Sequence, residues 1–372
     1  MIRRLVRLCT LAVAAAGLLL VPATPAVAHG RGTTASNFLS RITQAPDLAG
    51  VTFQVVGSDQ YLAVTNTSDT MIEVPGYDDT LVVGDSGGTD PYLRIGPQGV
   101  EVNQASRANH VNADRFGHPG EPLPPNVGVN QPPRWTTVSD TPVYSWHDHR
   151  IHWMAPGLPP AVTDPAQRTE VSTWTVVFTS AGTTYEVKGE LLWVPGPSLV
   201  PWLGLAALVT FPALLGLWRV RRGGWDIRLA RPAAAVLLAV SLCNVVHLVD
   251  DLVALPRPIT QSLPAAVQTA LFIAMGVLGA VAAWRGRAGA FTALGVGAGA
   301  IFVGQGLLYL GALRASGMTT VFPDGLTRLA IAMSLVQVVP VGVLSVLGSR
   351  RVGPPVAAVD AATVDLQWPQ ST

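Results

Sequence analysis

The sequence predicts an all-β, immunoglobulin-like sandwich followed by an α-helical membrane domain of five transmembrane helices. Three observations carry this expectation. Residues 51–194 alternate short apolar runs with Gly, Asp and Pro breakers, and residues 199–347 hold five apolar segments of membrane-spanning length. Between them, Pro195-Gly196-Pro197 interrupts both patterns. Of the 372 residues, 49% are hydrophobic and only 13% charged, about half the charged share of an ordinary soluble domain.

The N-terminus has the three parts of a secretory signal. Arg3, Arg4 and Arg7 form a charged start, Cys9 to Val21 an apolar stretch, and Ala26-Val27-Ala28 a small-residue cleavage site. Cleavage there removes residues 1–28 and makes His29 the first residue of an outer domain spanning 29–197. The membrane domain is expected over 198–349, with a small, polar, disordered cytoplasmic tail over 350–372.

Within the outer domain, Val51 to Asn66 reads as two strands joined at Gly57-Ser58-Asp59. Met71–Val74, Tyr92–Ile95 and Val100–Val102 are further short strands. Thr173–Phe178 and Thr184–Trp193 flank Ala181-Gly182 and give the strongest hairpin signal in the chain. Seven or so strands at this spacing predict the sandwich. The Pro-rich stretch from Gly117 to Pro133 is too broken for a strand and is expected to be a surface loop.

The five apolar segments are Leu199–Val220, Ala233–Leu255, Ala265–Trp284, Ala288–Leu313 and Leu326–Leu347. Arg219, Arg221, Arg222, Arg228 and Arg231 separate the first two, Arg285 and Arg287 the third and fourth, and Arg350 and Arg351 follow the fifth. The alternate connections carry only Arg257 and Arg314. The positive-inside rule then puts the β domain outside the cytoplasmic membrane and the C-terminus in the cytoplasm.

Composition also excludes function classes. Between His29 and Pro197, acidic residues outnumber basic ones by 17 to 9. Such a domain lacks the basic footprint of a nucleic-acid binder. The cysteines are Cys9 and Cys243, so the outer domain has neither disulfides nor thiolate chemistry. No Gly-x-Ser-x-Gly elbow, phosphate loop or His-Glu-x-x-His occurs, and no catalytic role is expected.

Six of the seven histidines fall in the outer domain, three of them in Tyr144-Ser-Trp-His-Asp-His-Arg-Ile-His-Trp-Met154. On a regular strand His147 and His149 share a face and can converge on one metal ion, whereas His152 falls on the opposite face. His110, His118, Asp148 and His29, the last with its free α-amine, are further candidate ligands. An imidazole-rich, thiol-free set suits Cu(II) or Zn(II). The competing reading is a hydrogen-bonded aromatic core segment, with Arg150 paired to Asp148. The spacing is similar to the His-x-His-x-Asp-His ligands of metallo-β-lactamase-like hydrolases, but Ile151 replaces the aspartate, and alternating strands and helices are missing.

In the membrane domain, Asn244, His247, Asp250 and Asp251 lie towards the outer end of the second segment. Asn244, His247 and Asp251 share one helical face, and Gln305 is expected at comparable depth. Polar contacts between helices are the alternative role.

Two resemblances bear on these residues. Val74-Pro-Gly-Tyr77, Pro91–Ile95, Asn103–Asn112 and Trp146-His-Asp-His-Arg-Ile-His-Trp153 resemble a family of uncharacterised actinobacterial membrane-anchored exported proteins. That likeness implies fold and location but no activity. The layout is also similar to bacterial copper-resistance proteins that fuse an exported β-sandwich to a membrane domain. His29 and the domain order match them; an Asp-x-His pair does not, because Asp148 adjoins His149. The expected function is therefore extracytoplasmic metal binding, copper before zinc. A non-catalytic module docking another envelope protein is the alternative, and a small transporter with a regulatory outer domain the third.

Overall fold

In the computed structural model, the described residues are 35–77, 89–112, 122–155, 157–215, 217, 224–286 and 288–351. The signal segment, His29, His118 and residues 352–372 lie outside them.

The N-terminal half is built from antiparallel sheets. β1 (Ala35–Ser36), β2 (Phe38–Gln44), β3 (Val51–Val56), β4 (Tyr61–Asn66) and β5 (Ile72–Pro75) are followed by β6 (Pro91–Gly96) and β7 (Gly99–Asn103). After the short helix α1 (Arg107–Val111) come β8 (Trp135–Ser139), β9 (Val143–Trp146), β10 (Thr169–Ser180) and β11 (Thr183–Trp193). Seven strands form one sheet in the order β2-β11-β10-β5-β6-β7-β8, and β3-β4-β9 form a second. The described part of the Pro-rich stretch, residues 122–133, carries neither strand nor helix.

Period-two patterning explains the core. Trp174, Val176 and Phe178 alternate inward on β10, and Val187 and Leu191 do so on β11. They meet Leu62 and Val64 of β4 and Leu93 and Ile95 of β6 in one apolar cluster. The β10–β11 hairpin turns at Ala181 (φ 50°) and Gly182 (φ 77°), the two positive values of a type I′ turn. At Gly189 a side chain would enter the Trp174 ring, with a Cβ only 2.1 Å from it.

The C-terminal half is helical. Its helices are α2 (Val200–Thr210), α3 (Ala230–Cys243), α4 (Val245–Val253), α5 (Ile259–Trp284), α6 (Ala290–Ile301), α7 (Leu310–Arg314), α8 (Asp324–Val336) and α9 (Val338–Arg351). Among the described residues, four continuous helical stretches are long and apolar enough to cross a membrane: Ile227–Val253, Ile259–Trp284, Ala290–Leu307 and Asp324–Arg351. The first apolar segment appears as the shorter Val200–Leu214. Small residues let α5 and α6 approach closely, since a Cβ on Gly279 would lie 2.6 Å from the Ala293 carbonyl.

The two halves touch. β1 pairs antiparallel with β12 (Gly317–Met318), which lies between α7 and α8. The Ser316 amide donates to Asn37 Oδ1 at 2.8 Å, and Ser145 Oγ donates to the Pro256 carbonyl at 3.1 Å. Arg328 braces this connection by donating to the Ala315 and Ser316 carbonyls.

Candidate metal centre

The histidine cluster starts where β9 stops. Its last residue, Trp146, pairs with Leu62 of β4. Two residues on, the fully buried Asp148 gathers the chain around its carboxylate. It accepts from Trp146 Nε1 at 2.8 Å, from the Arg150 amide at 3.0 Å, and from Arg150 Nε and Nη2 at 2.9 and 2.7 Å. An aspartate accepting the amide two residues ahead is a helix-capping arrangement, and a single 3₁₀ turn, His149–Ile151, follows. Ile151, with no exposed surface, anchors that turn in the core.

This local fold corrects the strand-face expectation. The strand ends before His147, so strand alternation does not govern the three side chains. His152 faces the same point as the other two: one ligand atom from each of His147, His149 and His152 lies within 4.8 Å of the others. Ring centroids are 4.3 Å apart for His147–His152, 5.1 Å for His149–His152 and 5.6 Å for His147–His149. His149 and His152 are buried and His147 is half-buried.

The surroundings orient the rings. His147 Nδ1 lies 2.6 Å from the Gln60 carbonyl. A carbonyl only accepts, so Nδ1 carries the proton and the Nε2 lone pair is left as the donor to a metal. Tyr77 stacks on His149 at 6.0 Å. Its hydroxyl accepts the His149 amide at 2.8 Å and donates to Asn112 Oδ1. Tyr61 meets His147 edge-on at 5.7 Å.

Charge is settled locally. Burial disfavours the Asp148 carboxylate, but Arg150 and the hydrogen bonds outweigh it and hold its pKa at about 2. Burial pushes the Tyr77 and Tyr61 phenols up, and Tyr144 to about 12. The neutral Tyr77 and Tyr61 phenols and the compensated Asp148–Arg150 pair therefore adjoin the imidazoles.

The other candidates distribute differently. His110, near the end of α1, is not part of the group within 4.8 Å. Asn244 binds the Val240 carbonyl and Ser334 Oγ, both at 2.8 Å, and so ties α3 to α8. His247, Asp250 and Asp251 are buried, with at most 2% of their surface exposed. Asp250 Oδ1 accepts the Val321 amide at 2.9 Å, from the segment that follows β12. Gln305 is fully buried within a π-helical turn, Phe302–Leu307.

Sequence reasoning missed Gln60 and Tyr77 as contributors to this cluster. Tyr77 belonged to a recognisable motif, but nothing in its spacing linked it to His149, 72 positions away. Comparison of the chain with known protein families, with curated proteins and with solved structures found no match.

Proposed function

We propose that this chain is a membrane-anchored extracytoplasmic metal-binding protein that handles copper, or zinc, in the cell envelope. The observation that carries the reading is the convergence of three imidazoles within 4.8 Å on a turn built by Asp148. The set fits a metal: His147 has a tautomer fixed by Gln60, and His149 is held by stacking and through its amide. All-nitrogen donors suit Cu(II) and Zn(II). Bound there, the ion would be held by His147, His149 and His152. Tyr77, Gln60 and the Asp148–Arg150 pair would act by positioning those ligands.

In this reading the helices serve as the anchor. Val200–Leu214 contributes to a fifth crossing, the β domain is an immunoglobulin-like sandwich outside the cytoplasmic membrane, and the C-terminus is cytoplasmic. The arginine distribution supports the orientation, and the two antiparallel sheets support the sandwich, with a seven-plus-three division of strands. The test is Cu(II) titration of the purified full chain. The full chain should bind one more equivalent, with a nitrogen-rich spectroscopic signature, than the chain in which the three histidines are replaced by alanine.

The second reading is a non-catalytic module that docks an envelope partner. The aromatic and ion-pair packing of Trp146, Asp148 and Arg150 favours it, because this network would order the loop without any metal. Copper-independent folding, together with no metal uptake, would select it.

A further inference from the structure

The membrane domain holds an open ring of polar side chains from three helical stretches. His247 and Asp251 stand one turn apart on α4, and are therefore neighbours on its surface. Thr269 of α5 donates to Asp251 Oδ2 at 2.6 Å. Its hydroxyl lies 3.4 Å from that of Tyr309, at the head of α7. The Tyr309 ring in turn stacks on His247, with centroids 4.3 Å apart and planes 13° from parallel. Gln305 stands one turn before Tyr309, in the π-helical turn; such turns recur at functional sites.

Hydrogen bonding leaves this ring incomplete. His247 is fully buried, and neither of its ring nitrogens has a hydrogen-bond partner. The same holds for both amide atoms of Gln305, for Asp251 Oδ1 and for Asp250 Oδ2. By contrast, Asn244, at the end of α3, has both side-chain atoms bonded by Val240 and Ser334. Polar contacts between helices thus account for Asn244 but not for His247, Asp251 or Gln305. Two adjacent carboxylates sit here at low dielectric, with Arg257 close enough to act on Asp251. The cluster is also shallow. His247 lies six residues from the end of α4, roughly 9 Å along the helix, and the following loop carries the Pro256 carbonyl that meets Ser145.

We propose that this ring is a second divalent-cation site, with His247 and Asp251 as its ligands and Thr269, Tyr309 and Gln305 offering neutral oxygens. A mixed imidazole and oxygen set without sulfur suits Zn(II), Co(II) or Mn(II). The cation would engage the buried donors and neutralise the paired carboxylates. The site stands on its own residues and does not depend on the proposed function.

The test is Co(II) binding to the full chain in detergent, read as equivalents bound per chain and as the visible spectrum. The wild-type chain should take two equivalents. The variant with His147, His149 and His152 all changed to alanine should keep one, and the His247→Gln, Asp251→Asn variant should lose that one and keep the triad's. If the triad variant binds none while the wild type binds one, the second site is refuted and the triad stands. If wild type and triad variant each bind one, the triad reading fails instead and the membrane site stands. No binding by any form refutes both. The triad variant leaves the helices untouched, so a folding defect in the His247 and Asp251 variant cannot mask the answer.

Discussion

His147 and His152 lie with ring centroids 4.3 Å apart, closer than either lies to His149. Along an extended strand, two residues five positions apart would be separated by about 16 Å and point to opposite faces. Their contact exists because Asp148 ends the strand and starts a 3₁₀ turn. The three histidines should therefore be equivalent as ligands. His152→Ala, His147→Ala and His149→Ala should each weaken Cu(II) binding by more than the 10–100-fold typical of outer-shell changes (about 2.7 kcal/mol or more), as read by competition titration. A His152→Ala chain that binds normally would restore the strand-face geometry.

Asp148 should be the structural keystone of the loop. Asp148→Asn removes the charge that compensates Arg150, and losing one partner of a buried pair costs about 3–5 kcal/mol. Chemical denaturation followed by the β domain's tryptophan signal would report it. The pH dependence has a definite sign. The folded carboxyl titrates at about 2, below its ordinary 3.8, so its stabilisation is complete above about pH 4 and is lost as pH falls towards 2. The loss amounts to about 2 kcal/mol. An acid titration of stability that is flat in this window for wild type would contradict the assignment.

Tyr77→Phe separates positioning from ligation. The ring and its stacking on His149 survive, but the hydroxyl that accepts the His149 amide and donates to Asn112 is gone. Stability should fall by about 1–2 kcal/mol, and metal affinity by about tenfold. An unchanged affinity would show that the triad holds its shape without this support.

Two glycines test the packing. Gly189→Ala forces a Cβ into the Trp174 ring at 2.1 Å and towards the Arg41 carbonyl at 2.5 Å, which should cost about 1–3 kcal/mol or more. Gly317→Ala places a Cβ 2.0 Å from Ser58 Oγ, where the β3–β4 turn meets β12. It should loosen the β domain from the helices, and limited proteolysis would show faster release of that domain. Because the same turn carries Gln60, metal affinity should fall alongside.

Much of this architecture was legible because period-two patterning, turn residues and apolar segment lengths are local. The β3–β4 and β10–β11 pairs follow directly from Gly57-Ser58-Asp59 and Ala181-Gly182. The histidine segment was legible as a candidate but not in its shape. Asp148 can cap a turn only if Arg150 folds back on it, and a regular strand through His147 satisfied the same local pattern. The partners Tyr77 and Gln60 come from segments remote in sequence, just after β5 and in the β3–β4 turn, so no spacing could reveal them. The partners of Asp250 and Asp251 are Val321 and Thr269, brought in by tertiary packing that hydropathy does not encode. β1, β2 and β8 escaped notice because their residues mix polar and apolar types without clean alternation.

The most direct measurement is the number of Cu(II) equivalents bound by the full chain, set against the number bound by the triple His147→Ala, His149→Ala, His152→Ala variant at neutral pH. The account predicts a difference of one tightly bound equivalent. Its nitrogen-rich spectrum should be missing from the variant, and its binding should weaken as pH falls below about 6.5, where imidazoles take up protons. Equal uptake by the two chains, with the variant still folded, would contradict the claim that this turn is a metal centre.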